Sequence, residues 1–225
     1  MNMPLQVNVN VVTFALHAGR LSVLLVKALH AITSASWHLP DSVIDSEQDH
    51  SLEDAAKRAL QVPSGLEALY LEQVQTKGSK ERLPGGWSLA VVYYALVGEP
   101  TAIANQHNLC WIPVDELLTS TLAFDHQILI EESLQRFQNK SLYTSLPIFL
   151  LSKEFTLTEV QKAYETVLGF SIEKKSLRRR LLEAHFLKET GNIRRASHRP
   201  AQLYSLALMQ PYFFARIIQG SRESK

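Results

Sequence analysis

The spacing of apolar residues changes period partway along this chain, and that change restricts the possible folds more than any other feature. Before residue 146 the pattern is mostly that of strands. "QVNVNVVTFAL" (6–16) alternates polar with apolar residues before turning wholly apolar, and "LSVLLVKAL" (21–29) is a continuous apolar run. "HAGR" (17–20) places a turn glycine between them, so a β-hairpin is expected. "LYLEQVQT" (69–76) and "WSLAVVYYALV" (87–97) predict further strands, separated by a loop "KGSKERLPGG" (77–86), and "NLCWIPVDELL" (108–118) predicts a short strand and a helix start. Two helices interrupt them. "SLEDAAKRAL" (51–60) has Ser51 as N-cap and is ended by Pro63 and Gly65, while "FDHQILIEESLQRFQ" (124–138) places Ile128, Ile130, Leu134 and Phe137 in a rough helical stripe. The first domain is therefore expected to be α+β with a mixed sheet.

Beyond "NKSLYTSLPIFLLS" (139–152) the period is helical, which sets expected domains of 1–146 and 147–225. "TLTEVQKAYETVLG" (156–169) has Leu157, Val160, Ala163, Tyr164, Val167 and Leu168 at core spacing, Thr158 as capping candidate and Gly169 as stop. "EKKSLRRRLLEAH" (173–185) predicts a second helix, and "FLKETGNIRRASHRPAQLYSL" (186–206) predicts two short strands around a basic loop. Helix, helix and β-hairpin make a winged helix-turn-helix. Charge divides the same way: up to Leu150 there are 9 Lys and Arg against 15 Asp and Glu, and beyond it 14 against 7. A basic module for a polyanion is thus attached to an acidic one.

With 225 residues and 46% apolar content the chain can bury a real core. Its apolar runs, such as "SLAVVYYALV" (88–97), are far shorter than the roughly 18 residues of a membrane span. The N-terminus "MNMPLQVNVNVV" has no basic region followed by an apolar stretch, so no secretory signal is expected and a cytoplasmic location is. A single cysteine, Cys110, excludes an internal disulfide and a multi-thiolate zinc site, and reads as a small buried hydrophobe beside Trp111.

"LPDSVIDSEQDHSLEDAAKRALQVPSGL" (39–66) resembles the Nudix box, G-x5-E-x7-R-E-U-x-E-E-x-G-U with U aliphatic. Leu66, Gly65, Leu60 and Arg58 match the frame, but Ala59 stands where the Glu after the Arg belongs, and Val62 and Pro63 replace the metal-binding pair. The loop is about two residues longer than the pattern, and "LPGG" has become "LPDS", with Asp41 and Ser42 in place of the glycines. Nudix hydrolysis uses divalent cations held by carboxylates to lower the pKa of the attacking water, and neither valine nor proline can ligate one. No catalytic residue, metal or cofactor is therefore expected. Asp45, Glu47, Asp49, Glu53 and Asp54 read as solvated residues suited to a helix N-terminus rather than as a compensating site, and Arg58 has a structural alternative in an i,i+4 pair with Asp54.

A Nudix-like box joined to a winged helix resembles one family closely: the Nudix-related transcriptional regulators of NAD metabolism (NrtR). "LAFDHQILIE" (122–131), "FTLTEVQKAYETVLG", "KKSLRRRLLEA" and "RPAQLY" carry the resemblance, which extends over nearly the whole chain. It implies an N-terminal Nudix-like mixed-sheet α/β/α sandwich, a homodimer, and repression of NAD-synthesis or salvage genes relieved by ADP-ribose. On the predicted recognition helix a period of 3.6 sends Lys175, Ser176 and Arg179 outward and Arg178 and Arg180 to the flanks. Arg179 is the candidate for a bidentate guanine contact; Lys174, Lys175, the flanking arginines and the wing's Arg194, Arg195 and Arg199 are candidates for phosphate or minor-groove contacts with double-stranded operator DNA. Similarity to the regulators places the effector between the box loop, the "SVLLVKA" strand and "PGGW" (84–87). Lys27 and Arg82 are then candidate cations, and Trp37 and Trp87 are candidates for stacking on adenine or for core packing. Arg58 belongs to the retained frame, and Asp125 and His126 lie in a family signature where Asp125 reads equally as a helix N-cap. Two other readings compete with a ligand-responsive repressor: a DNA-binding protein whose Nudix-like domain only dimerises, and a hydrolase with an atypical site. The missing carboxylates weigh against the hydrolase; Asp41 and Ser42, which remove a close backbone approach to a pyrophosphate, keep the scaffold reading open.

Overall fold

The computed structural model describes residues 6–28, 37–83, 86–98, 107–117, 122–195 and 200–220. The chain divides into two compact units that meet between Arg136 and Phe137.

In the first unit β1 (Gln6–His17) and β2 (Arg20–Lys27) form the expected hairpin. Ala18 and Gly19 in its turn both have positive φ, 49° and 78°, the conformation of a primed turn that matches the twist of the strands. β3 (Trp37–His38) and β7 (Leu109–Pro113) pair with β2, while β4 (Asp41–Val43) pairs with β1. On the far side β1 runs parallel to β6 (Gly86–Leu96), and β5 (Tyr70–Leu83) closes that edge antiparallel to β6. The sheet is mixed, as expected.

Helices cover both faces. α1 (Leu52–Ser64) lays Ala55, Ala56, Ala59 and Leu60 on Val9, Val11, Val91 and Tyr93. α2 (His126–Ser141) covers the opposite face, where Asn10 meets His126, Lys77 pairs with Glu132 at 2.6 Å, and Arg136 donates to Glu72. Burial on both faces explains why β2 and much of β1 are apolar without alternation.

Two expectations need correction. "KGSKERLPGG" is not simply a loop: β5 continues to Leu83, with Lys77 opposite Ala90 and Gly78 opposite Leu89, and register shifts absorb the irregular stretches. Its polar sequence hid the strand because this edge carries half-exposed side chains. On α2 the buried stripe is Leu129, Ile130 and Phe137, whereas Ile128 is 49% exposed.

The second unit holds a short 3-10 helix (Leu146–Leu150), α3 (Leu157–Leu168), α4 (Lys174–Glu183), and a hairpin of β8 (Leu187–Arg194) and β9 (Ala201–Leu206). This is the predicted winged helix. Val160, Tyr164, Leu177, Leu181 and Tyr204 form its core with Phe214 and Ile218 from the chain after β9. The unit begins before the change of sequence period because residues 142–145 are held from within it. The Tyr164 hydroxyl donates to the Thr144 carbonyl at 2.7 Å, and the backbone N–H groups of Phe214 and Ile218 donate to Tyr143 and Leu142. The N-cap of α3 is Thr156, not Thr158: its hydroxyl accepts from Glu159 N–H at 3.2 Å, and the Glu159 carboxylate accepts from Thr156 N–H at 2.8 Å, a complete capping box. Gly169 ends α3 with φ 75°. Thr156→Ala should destabilise the protein by about 1 kcal/mol, measured as a lower midpoint of the urea transition with unchanged slope.

Candidate functional site

The degenerate box begins with an ordinary helix start: Ser51 caps α1 by accepting from Asp54 N–H at 3.1 Å, and Lys57 pairs with Glu53 at 2.8 Å. Arg58 does not pair with Asp54. Its Nε and Nη2 donate to the two carboxylate oxygens of Asp49 at 2.8 and 2.6 Å, and Nη2 also donates to the Val43 carbonyl. A fork meeting a carboxylate with both nitrogens is better matched than a one-turn helical pair, so the loop acid displaces the helical one. That hydrogen bonding holds the Asp49 carboxyl down at about 2. Asp45 is equally engaged, accepting from Glu47 N–H and Gln48 Nε2, so the loop acids organise their own loop. Among the described residues no group of three His, Cys, Asp or Glu is placed to hold a metal. Ala59 is buried in the apolar core and Val62 is 79% exposed.

The second half of "LPDS", Asp41 and Ser42, lies in strand β4. Asn10 lies opposite Asp41 and Val9 opposite Ser42, and Val11 N–H donates to the Pro40 carbonyl. Asp41 is not an open charge, because its carboxylate lies 3.0 Å from His38 Nδ1. Burial opposes charging His38, but the hydrogen bond and charge of Asp41 outweigh it and raise the imidazole above its ordinary value.

His126 behaves oppositely. It is buried, and Leu39 N–H donates to its Nδ1 at 3.0 Å, so the neutral ring carries its proton on Nε2. Asn10 lies 3.4 Å from Nε2 and its Oδ1 has no other partner, which fits that oxygen accepting from Nε2–H once the amide is turned. Burial pushes the ring down to about 4. His126 therefore pins the start of α2 to the box loop as a neutral clamp. Asp125 is engaged beside it by Arg82, whose Nε and Nη2 each donate at 2.8 Å. Arg82 is buried, not the free cation expected from sequence.

The expected effector residues thus fall into separate groups. Lys27 is exposed opposite half-buried Trp37, and Ala123 N–H donates to the Trp37 carbonyl. Arg82, Asp125 and His126 form a structural cluster on the α2 face, while Arg58 serves α1. Trp87, half exposed, lies over Gly78. Asn10 and His38 were missed, although two asparagines at alternate positions of "QVNVN" (6–10) signal an inward polar contact once both sheet faces are covered.

On the second unit Lys174, Lys175, Ser176, Arg178 and Arg179 are exposed along α4, with Leu177 and Leu181 buried beneath. Glu173, unremarked in sequence, caps the helix by accepting from Lys175 and Ser176 N–H at 2.9 and 2.6 Å, which lowers its own carboxyl. Arg178 and Arg179 have no side-chain partner among the described residues, and Arg195 is exposed. Two candidates have partners within the unit. Arg180 donates to the backbone carbonyls of Arg216 and Ile217, and Arg194 pairs with Glu159 at the start of α3. The Arg180 guanidinium is half-buried against those carbonyls, whereas the Arg194 side chain stays 44% exposed beside Glu159. Arg199 lies outside the described residues.

An α/β/α unit bearing a Nudix box without its acids, joined to a winged helix with a basic second helix, defines a Nudix-type DNA-binding regulator. Residues 147–206 match the NrtR DNA-binding winged helix domain. The ADPR responsive transcriptional repressor NtrR of Acinetobacter baylyi is 38% identical over 218 residues, covering 95% of this chain and 87% of that protein. The crystal structure of Shewanella oneidensis NrtR with a 27mer DNA superposes with a TM-score of 0.87 at 37% identity, covering 95% of this chain and 99% of that one. The NUDIX domain of the same protein with ADP ribose gives 0.54 at 34% identity over 60% of this chain and 90% of that one. The chain belongs to the NrtR family.

The His38–Asp41 pair makes a pH prediction. Because the folded imidazole is raised, its contribution is full below the ordinary value near 6.5 and is lost as pH rises through the folded value. Asp41→Asn should therefore lower the unfolding free energy more in acid than in alkaline buffer, read from denaturation curves on either side of neutrality.

Proposed function

We propose that this protein is a cytoplasmic, homodimeric repressor of NAD-synthesis or salvage genes that holds double-stranded operator DNA with its winged helix and releases it when ADP-ribose binds the Nudix-type unit. The observation that carries this reading is the similarity, over nearly the whole chain, to a repressor described as ADPR responsive. ADP-ribose acts here as an effector, without a cofactor. The unit binds without turnover, because Val62 and Pro63 cannot ligate a cation, Ala59 lies in the core, and Arg58 is occupied by Asp49. Of the sequence candidates, exposed Lys27 beside Trp37 remains best placed to meet a phosphate and a base, whereas Arg82 serves the fold.

In a gel shift on the protein's own upstream region, ADP-ribose should weaken binding by about 5- to 150-fold, with no release of AMP or ribose phosphate in Mg²⁺. Lys27→Ala should blunt that response while leaving ligand-free DNA binding intact. DNA binding indifferent to millimolar ADP-ribose would favour the scaffold reading.

The same assay separates two roles on α4. Arg179→Ala should cost about 1–3 kcal/mol on the operator and relax sequence preference, whereas Lys174→Ala should weaken all duplexes alike. Equal, uniform losses from both would reject this division.

A further inference from the structure

The chain does not stop where the family match ends at residue 206. Residues 207–220 turn back across the second unit as a strap. Ala207 N–H donates to the Phe186 carbonyl, Ser145 N–H donates to the Tyr212 carbonyl, and Ser145 Oγ accepts from Tyr212 N–H at 2.8 Å. Tyr212 stacks on Phe186 with ring centroids 4.9 Å apart, and Phe214 and Ile218 enter the core. Arg180 fastens the strap to α4 through the carbonyls of residues 216 and 217, with its guanidinium 5.4 Å from the Phe214 ring centre.

Between the strap and α4 lies an open groove of about 800 Å³, with Ser176, Arg179, Arg180 and Glu183 on the helix side and Arg216 on the strap side. Three guanidiniums, those of Arg179, Arg180 and Arg216, line the groove with one carboxylate, Glu183, and Glu183 lies a full turn beyond Arg179. Arg216 is exposed and its side chain has no partner among the described residues. The helix N-terminus, often an anion site, is already closed by the Glu173 carboxylate. A phosphate beside α4 must therefore be met by side chains.

We propose that Arg216, presented by the strap, is a phosphate contact of the DNA interface, so that the backbone of a duplex read by α4 is gripped between the helix and residue 216. Arg180 is the positioning residue, holding the strap's backbone rather than touching DNA. The proposal rests on the reading of α4 as the DNA-contacting helix. A phosphate contact is independent of sequence, so it can be tested on the full-length protein with a fluorescein-labelled random-sequence duplex of about thirty base pairs and on the upstream region, by anisotropy across about 50–200 mM KCl.

Arg216→Gln should weaken both duplexes equally, by about three- to tenfold, and make log K against log salt shallower by about 0.9, with melting temperature unchanged. Arg216→Lys should restore the slope. Arg216→Gln binding like the wild type, or losing affinity with an unchanged slope, would overturn the proposal. Failure of the wild type to bind either duplex would overturn the DNA-binding reading itself, which separates the two.

Discussion

One guanidinium–carboxylate fork, Arg58 with Asp49, fastens the middle of α1 to the loop that precedes it and so fixes the box region of the first unit. The Asp49 side chain is 3% exposed, and it also accepts from Asp45 N–H, so one carboxylate closes the loop on itself and on the helix. Removing Arg58 would leave the covered Asp49 carboxylate without its cation, whereas the Arg58 side chain, 26% exposed, still reaches water and the Val43 carbonyl. In a hydrolase the helix acids would face a cation. Here the arginine of the box has an internal acid partner, so the frame can stand without any metal.

Comparable pairings order the second unit. Glu173 satisfies the N-terminus of α4, Glu159 both completes the box of α3 and holds Arg194 of the wing, and Arg180 fixes the strap. These charges position elements. Among the described residues Lys174, Lys175, Arg178, Arg179 and Arg216 have no side-chain hydrogen-bond or ion-pair partner and lie on or beside α4, an arrangement that suits phosphate contact.

The architecture was legible wherever period and caps agreed. The hairpin at "HAGR", the helix from Ser51, the stop at Gly169 and the helix–helix–hairpin order all follow from local chemistry visible in the chain. What escaped depended on partners distant in sequence. Arg58 had two acids within reach, and only the folded loop selects Asp49 over Asp54. Arg82 was a candidate cation for the effector because its partner Asp125 lies 43 residues away and was itself read as an effector contact or a helix N-cap. Asn10 drew no notice because alternation identifies two faces without saying that both are covered. The length of β5 was hidden by a polar, bulged edge, and the role of residues 207–220 by the absence of any periodic pattern.

The central claim is that a Nudix-type unit binds a nucleotide without consuming it and thereby opposes DNA. Calorimetric titration of ADP-ribose into the free protein and into protein saturated with its upstream duplex tests this most directly, because linkage requires the two ligands to affect each other by the same factor. The account predicts binding to the free protein with no heat of turnover in Mg²⁺. It also predicts an affinity reduced on the DNA complex by the factor with which ADP-ribose weakens DNA. Equal affinity for both forms, or no binding to the free protein, would contradict it.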